Sequence, residues 1–248
     1  MRLVIIGSSS KGNCYLLQND SETLIIECGV NIAEIKQAVS FTFKNVVGCL
    51  LTHEHGDHAK SAKELMRMGV DIYTSKGTAR ELDVPTDYHR IKIVSSYQRC
   101  IIGNFSIIPF KVNHDVAEPL GFIIYHVECG SVLFITDSFY VEDTFKNINN
   151  IIIETNFSEE IVKQRMLNGY LPDYRANRLF KSHMSLETCK KTLTKNDLSK
   201  VHNIVLIHLS DGNSNAEHFK SEIENLTGKK VYVADAGMVI ENFNAKPF

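Results

Sequence analysis

Nowhere in the 248 residues is there a run of about eighteen apolar residues, so a bilayer-spanning helix is excluded. A C-x-x-C pair is missing as well. The six cysteines (Cys14, Cys28, Cys49, Cys100, Cys129 and Cys189) are scattered, mostly in strand-like runs such as "VVGCLL" and "HVECG", and read as reduced, buried thiols. A large excess of charge of one sign is also missing. The formal net charge is −2, which gives no global pull toward nucleic acid or an anionic membrane, so any phosphate-handling site must be local. Fixed-period repeats, low-complexity tracts and proline- or serine-rich linkers are absent. The first apolar run, in "MRLVIIGSSSKGN", stops at Gly7, too short for the core of a signal peptide, and a cytoplasmic location is expected.

What is present is a series of twelve short β-branched runs, from "RLVII" and "CYLLQ" through "FSIIPF" and "SVLFIT" to "KVYVA" and "GMVIE". Helical patterns lie between them: "NIAEIKQAV", "AKSAKELMRMG", "SEEIVKQRMLNG", "SLETCKKTLTK" and "NAEHFKSEIENLTG". This alternation predicts an α/β layered protein with some antiparallel hairpins. A single domain spanning 1–248 is expected, with a helical insertion or cap around 155–200, where strand content drops.

The most informative stretch is "LTHEHGDHAK", residues 50–59, which gathers three histidines and two acids around one glycine. It runs from an apolar strand into an amphipathic helix, where α/β folds place ligands. Residues two apart in extended chain point the same way, so His53 and His55 project together. Gly56 lets the backbone turn, and Asp57 and His58 follow on the first helical turn, facing back. Imidazole and carboxylate at two adjacent points suggest a two-metal site. The metallopeptidase pattern H-E-x-x-H is absent, because Asp57 stands at its second histidine position. Further ligands must come from elsewhere. His114 in "FKVNHDVAEPLGF", Asp137 closing "VLFITDS" and His208 closing "NIVLIHLS" each follow a buried-looking strand and can converge on one sheet edge. Any one of them alone would be an ordinary strand-end polar residue. His89, His126, His202 and His218 lack such a pattern and are read as structural or surface residues.

"THEHGDH" resembles the H-x-H-x-D-H signature of the metallo-β-lactamase-fold hydrolases, and His114, Asp137 and His208 follow in the order of that family's remaining ligands. The segments "SSSKGN", "NHDVAEPLGF", "FITDS", "IETNFSEEI", "FKSHMSLE" and "HLSDGNSNAE" bring the likeness closer to the WalJ/YycJ-like nuclease branch. The resemblance implies an αββα sandwich of two mixed sheets flanked by helices. It also implies two divalent cations, zinc with manganese as an alternative. His53, His55 and His114 would hold the first, Asp57, His58 and His208 the second, and Asp137 would bridge them. Glu154 in "IIIETNF" and His183 in "SHMSLE" resemble the acid dyad of the tRNA 3′-processing nucleases of this fold. Three positions depart from the family pattern: Glu27 in "IIECG" replaces the usual aspartate, Phe157 replaces a frequent histidine, and "DGNSN" follows "HLS".

The chemistry expected is dinuclear phosphodiester hydrolysis by an exonuclease-like enzyme. A metal-bridging hydroxide would attack in line, with Asp57, His183 and Glu154 as catalytic residues and DNA or RNA as substrate. The alternative is a small-molecule hydrolase of the same fold, acting on a lactone, thioester or cyclic phosphodiester. The low net charge and the lack of an evident interleaving of aromatic and basic residues speak for that alternative, or for a nuclease touching few phosphates.

Overall fold

Most strands of this chain are apolar on both faces because each sheet is covered on both sides, which is why they read as continuous apolar runs. The computed structural model describes every residue except 83, 86, 87 and 246–248. The first sheet is built from β1 (Arg2–Ser9), β2 (Gly12–Gln18), β3 (Thr23–Ile26), β4 (Val46–Leu50), β5 (Ile72–Thr74) and β6 (Ile91–Ile93). The second contains β7 (Cys100–Ile102), β8 (Phe105–Lys111), β9 (Leu120–His126), β10 (Gly130–Ile135), β11 (Asn150–Glu154), β12 (Asn203–Ile207) and β13 (Lys230–Val233). The last strand, β14 (Val239–Ile240), returns to the first sheet beside β1, giving the orders β14-β1-β2-β3-β4-β5-β6 and β13-β12-β11-β10-β9-β8-β7.

Between the sheets, Leu3, Leu17, Leu24 and Ile26 of one meet Ile107, Phe122, Phe134 and Val205 of the other. The outer face of the first sheet is covered by α1 (Ile32–Ala38), α3 (Ala62–Arg67) and α4 (Lys76–Glu81), which pack Ile35, Leu65 and Ala79 against Ile25 and Cys49. A four-residue helix, α2 (Gly56–Ala59), carries the end of the histidine loop. The outer face of the second sheet is covered by α7 (Leu186–Lys195) and α8 (Ala216–Thr227) through Leu193, Phe219 and Ile223. The layers are therefore helix, sheet, sheet, helix, as the sequence led us to expect. Two further helices, α5 (Glu159–Leu167) and α6 (Asp173–Ser182), enclose a separate small apolar cluster of Phe157, Val162, Leu171 and Ala176.

Strand direction positions the site. β3 to β6 run parallel, and so do β10 to β13. β8 is antiparallel to β9 and β9 to β10, so β8 shares the direction of β10. The C-terminal ends of β8, β10, β11 and β12 and the segments that follow them thus emerge at one edge of the second sheet, carrying His114, Asp137, Glu154 and His208. No helix among the described residues is long and apolar enough to cross a membrane. All six cysteines are unpaired and only Cys100 is partly exposed.

Candidate metal centre

The loop after β4 and the loop ends of the second sheet meet. His53, His55, His114 and Asp137 form one cluster, and Asp57, His58, Asp137 and His208 a second, with donor atoms within 4.8 Å of one another in each. Asp137 belongs to both. Its Oδ2 lies 3.6 Å from His53 Nε2, 3.3 Å from His58 Nε2 and 3.7 Å from His114 Nε2, while Oδ1 is 3.3 Å from His208 Nδ1. All seven ligand candidates read from the sequence are therefore brought together.

The donor set fits divalent cations. His55 Nδ1 faces His53 Nε2 at 3.1 Å and His114 Nε2 at 3.2 Å. His114 Nδ1 donates to the carbonyl oxygen of Ser182 at 2.8 Å, which leaves Nε2 as the acceptor nitrogen of the neutral ring. Converging imidazole nitrogens with shared carboxylate oxygen are the ligand chemistry of zinc and manganese sites. Burial keeps the imidazoles of His53 and His114 below their ordinary pKa, and for His53 the nearby His58 acts in the same direction. At His208, burial works against the charged form, yet Asp137, Asp57 and Glu154 carry its pKa up to about 10. His58 is likewise held protonated, against burial, by Asp137, Asp57 and Glu27. These protons occupy places where a cation would offset the same carboxylates.

Glu27 shows how the longer acid is accommodated. It follows β3 with φ +63, fully buried, and its Oε2 lies 3.1 Å from His58 Nδ1 while Oε1 accepts the N–H of Thr52 at 3.1 Å. The contact fixes the His58 ring with Nε2 toward Asp57 and Asp137. Asp137 and His208 also sit at strand ends with positive φ, +44 and +55. Three residues of the centre thus hold a left-handed backbone that costs of order 1–3 kcal/mol each and that the surrounding sheets enforce.

Glu154 and His183 form a third, overlapping group with Asp137 and His208. His183 Nδ1 lies 2.6 Å from Glu154 Oε1, and Glu154 Oε2 accepts the backbone N–H groups of Ser138 and Met184 at 3.1 and 3.0 Å. The His183 charge, with the hydrogen bonds of His183 and His208, holds the Glu154 carboxyl below its ordinary pKa although it is fully buried, and Glu154 in turn raises the pKa of His183 against burial. The His183 ring stacks on His208 with centroids 5.3 Å apart.

Sequence reasoning missed several participants. Asn13, in "SSSKGN", places Nδ2 3.2 Å from His58 Nε2, and Ser8 Oγ accepts the N–H of His208 at 3.0 Å. The motif itself was the available signal. Gly29 is a second case: a Cβ there would fall onto the carbonyl carbon and oxygen of Asp57 and within 2.6 Å of His58 N. Both partners are backbone, tied down by Cys28 N–H donating to His58 O at 2.8 Å, and cannot yield. Gly29→Ala is expected to destabilise the protein by about 3 kcal/mol, at the upper end of overpacking costs. In thermal denaturation that corresponds to a midpoint roughly 6–12 °C lower. A midpoint within a degree of the parent would show that the two loops do not meet this closely.

The centre opens into a cavity of about 700 Å³ whose floor includes His55, Asp57, His114, Asp137 and His208. Its opposite wall comes from α5, α6 and the turn between them, and includes Arg165, Tyr170, Tyr174, Arg175 and Arg178. This corrects the expectation that aromatic and basic residues do not interleave: they do so in "RMLNGYLPDYRANR", residues 165–178. The helix α6, too polar to stand out in the sequence, brings Tyr174, Arg175 and Arg178 to the site, while Arg165 comes from α5 and Tyr170 from the turn.

A family model described as "Beta-lactamase superfamily domain" matches residues 22–209. The chain is 27% identical over 234 aligned residues to Exodeoxyribonuclease YycJ of Bacillus anthracis, covering 79% of this chain and 87% of that protein. It is 25% identical over 225 aligned residues to Exodeoxyribonuclease WalJ of Streptococcus pneumoniae serotype 2 (strain D39 / NCTC 7466), covering 85% and 82%. Among solved structures, the metallo-beta-lactamase fold protein YhfI from Bacillus subtilis superposes with a TM-score of 0.73 at 19% identity, over 96% of this chain and 98% of that one.

Proposed function

The chain belongs to the beta-lactamase superfamily, and from that premise we propose that it is a dinuclear metal-dependent phosphodiesterase, an exonuclease acting on DNA like the relatives it resembles. His53, His55 and His114 would hold one cation and Asp57, His58 and His208 the other, with Asp137 shared, in keeping with the two clusters. Zinc suits this donor set, and manganese is the alternative. When bound, such a pair supplies neutralisation of phosphoryl oxygen charge and a nucleophilic water at neutral pH.

The observation that carries the phosphodiester reading is the Glu154–His183 pair beside the two clusters, with His183 lining the same cavity. A departing sugar oxygen is strongly basic and gains from a proton in the transition state, whereas a thiolate leaving group needs none. His183 meets that requirement. Its Nδ1–H is held by Glu154, which leaves Nε2 to carry the proton toward the leaving oxygen. Glu154 is itself fixed by two backbone N–H groups, so the imidazole keeps one orientation through the reaction.

The test is cleavage of 5′-labelled single- and double-stranded DNA and matching RNA with zinc or manganese, beside the Asp57→Ala/His58→Ala double variant. We expect metal-dependent DNA cleavage that the double variant lacks, with a product ladder shortening from one end. A wild-type protein that holds two metals but cleaves no polynucleotide would overturn the reading in favour of a small-molecule hydrolase.

A further inference from the structure

The arginines and tyrosines on the cavity wall have features of a strand-binding surface. Tyr170 and Tyr174 are 74% and 67% exposed, large rings left in solvent beside a polar site. The Arg175 guanidinium lies 5.9 Å from the Tyr174 ring centre, and its Nε–H donates to Tyr174 Oη at 3.2 Å, so the two side chains are mutually oriented. Arg178 is exposed on the same helix. Arg165 is held from below: its Nη1 donates to the carbonyl oxygen of Gly212 at 2.6 Å, and its buried Nε has no partner. Gly212 has φ +87, and a side chain there would displace the Arg165 guanidinium from this position. None of the three guanidiniums pairs with a carboxylate among the described residues. Of the acids lining the cavity, Asp57 and Asp137 face the imidazoles, Asp211 lies 3.5 Å from Lys11 Nζ, and Asp115 pairs with none of these arginines.

We infer that Arg165, Tyr170, Tyr174, Arg175 and Arg178 bind an unpaired polynucleotide strand, the guanidiniums taking its phosphates and the tyrosine rings stacking its bases. Guanidinium groups match phosphate oxygens in geometry and charge, and aromatic faces accept any exposed base. A duplex keeps its bases stacked inside and offers the tyrosines nothing, so the surface selects a single-stranded end. This assignment rests on the phosphodiester reading of the adjoining centre and names the form of substrate that reaches it. It also explains how a chain of net charge −2 handles a polyanion: three arginines on one wall supply positive charge locally, beside the centre.

Binding, read separately from cleavage, tests the inference. A short fluorescein-labelled oligothymidylate and a duplex of equal length are titrated with the purified full chain and followed by fluorescence anisotropy. Tyr170→Ala/Tyr174→Ala is expected to weaken single-strand binding by about tenfold or more and to leave duplex binding within about twofold. Arg175→Gln/Arg178→Gln is expected to flatten the dependence of log affinity on log salt by roughly 1.4, about 0.7 for each phosphate no longer neutralised. These residues are exposed, so circular dichroism should show the parent fold in both variants. Equal single-strand affinity in parent and tyrosine variant, or a parent that does not prefer single strand over duplex, would overturn the inference. A parent that binds as described but cleaves nothing would support this surface and sink only the hydrolase reading.

Discussion

On the proposed dinuclear reading, Asp137→Asn is expected to lower the metal content of the purified protein from two to one or fewer and to cut hydrolysis by about 10³-fold or more, the scale on which deleting an electrostatic anchor acts. At 1.36 kcal/mol per decade this is about 4 kcal/mol of transition-state stabilisation. The expectation follows from position. This carboxylate alone belongs to both ligand clusters, and it is almost fully buried among His53, His58, His114 and His208. Asparagine makes the test clean, because it keeps the side-chain shape and tolerates the left-handed φ of +44 at this position. The fold should therefore survive while the charge is removed. Metal analysis by mass spectrometry, steady-state rates and far-ultraviolet circular dichroism on the same preparation check the three parts. Full metal content with activity within tenfold of the parent would exclude a shared-ligand role.

His183→Ala is expected to lower kcat on DNA by about 10²–10⁴-fold, the usual contribution of a positioned general acid, with the metal content unchanged. His183 meets Glu154 through Nδ1 and is partly exposed to the cavity, so its removal takes away a proton donor without stripping either of the first two clusters. The loss should be much smaller on a thymidine phosphodiester with a 4-nitrophenolate leaving group, which departs without protonation. A structural histidine would depress both substrates alike. Equal losses on DNA and on the nitrophenyl ester, or a parallel loss of metal, would therefore remove His183 from the acid role.

Much of this protein was legible in its sequence, for a local reason. Strands buried on both faces carry near-continuous apolar runs, so "TLIIEC", "NIIIET" and "NIVLIHL" announced β3, β11 and β12 without any knowledge of their partners. The loop carrying His53, His55, Asp57 and His58 was legible because its donors lie within one turn and one short helix. His114, Asp137 and His208 could be proposed because each ends such a strand.

Tertiary structure decided the rest. The three-residue strands β6 and β7 lie at the ends of the two sheets, where one neighbour suffices and an apolar run is not required. α6 is mostly exposed and polar, so its pattern in sequence is that of a surface segment, although it walls the cavity. Nothing local predicts that Gly29 meets the backbone of Asp57, that Glu27 reaches His58, or that Asp137 is shared between clusters. Those facts depend on strand order and direction, which bring residues far apart in the chain to one edge. The residue types in the sequence thus determined which chemistry was available, and the convergence of parallel strand ends decided which of those residues could act together. The physical reason is that apolar burial is written residue by residue, whereas a shared ligand or a cavity wall exists only once separate elements have packed.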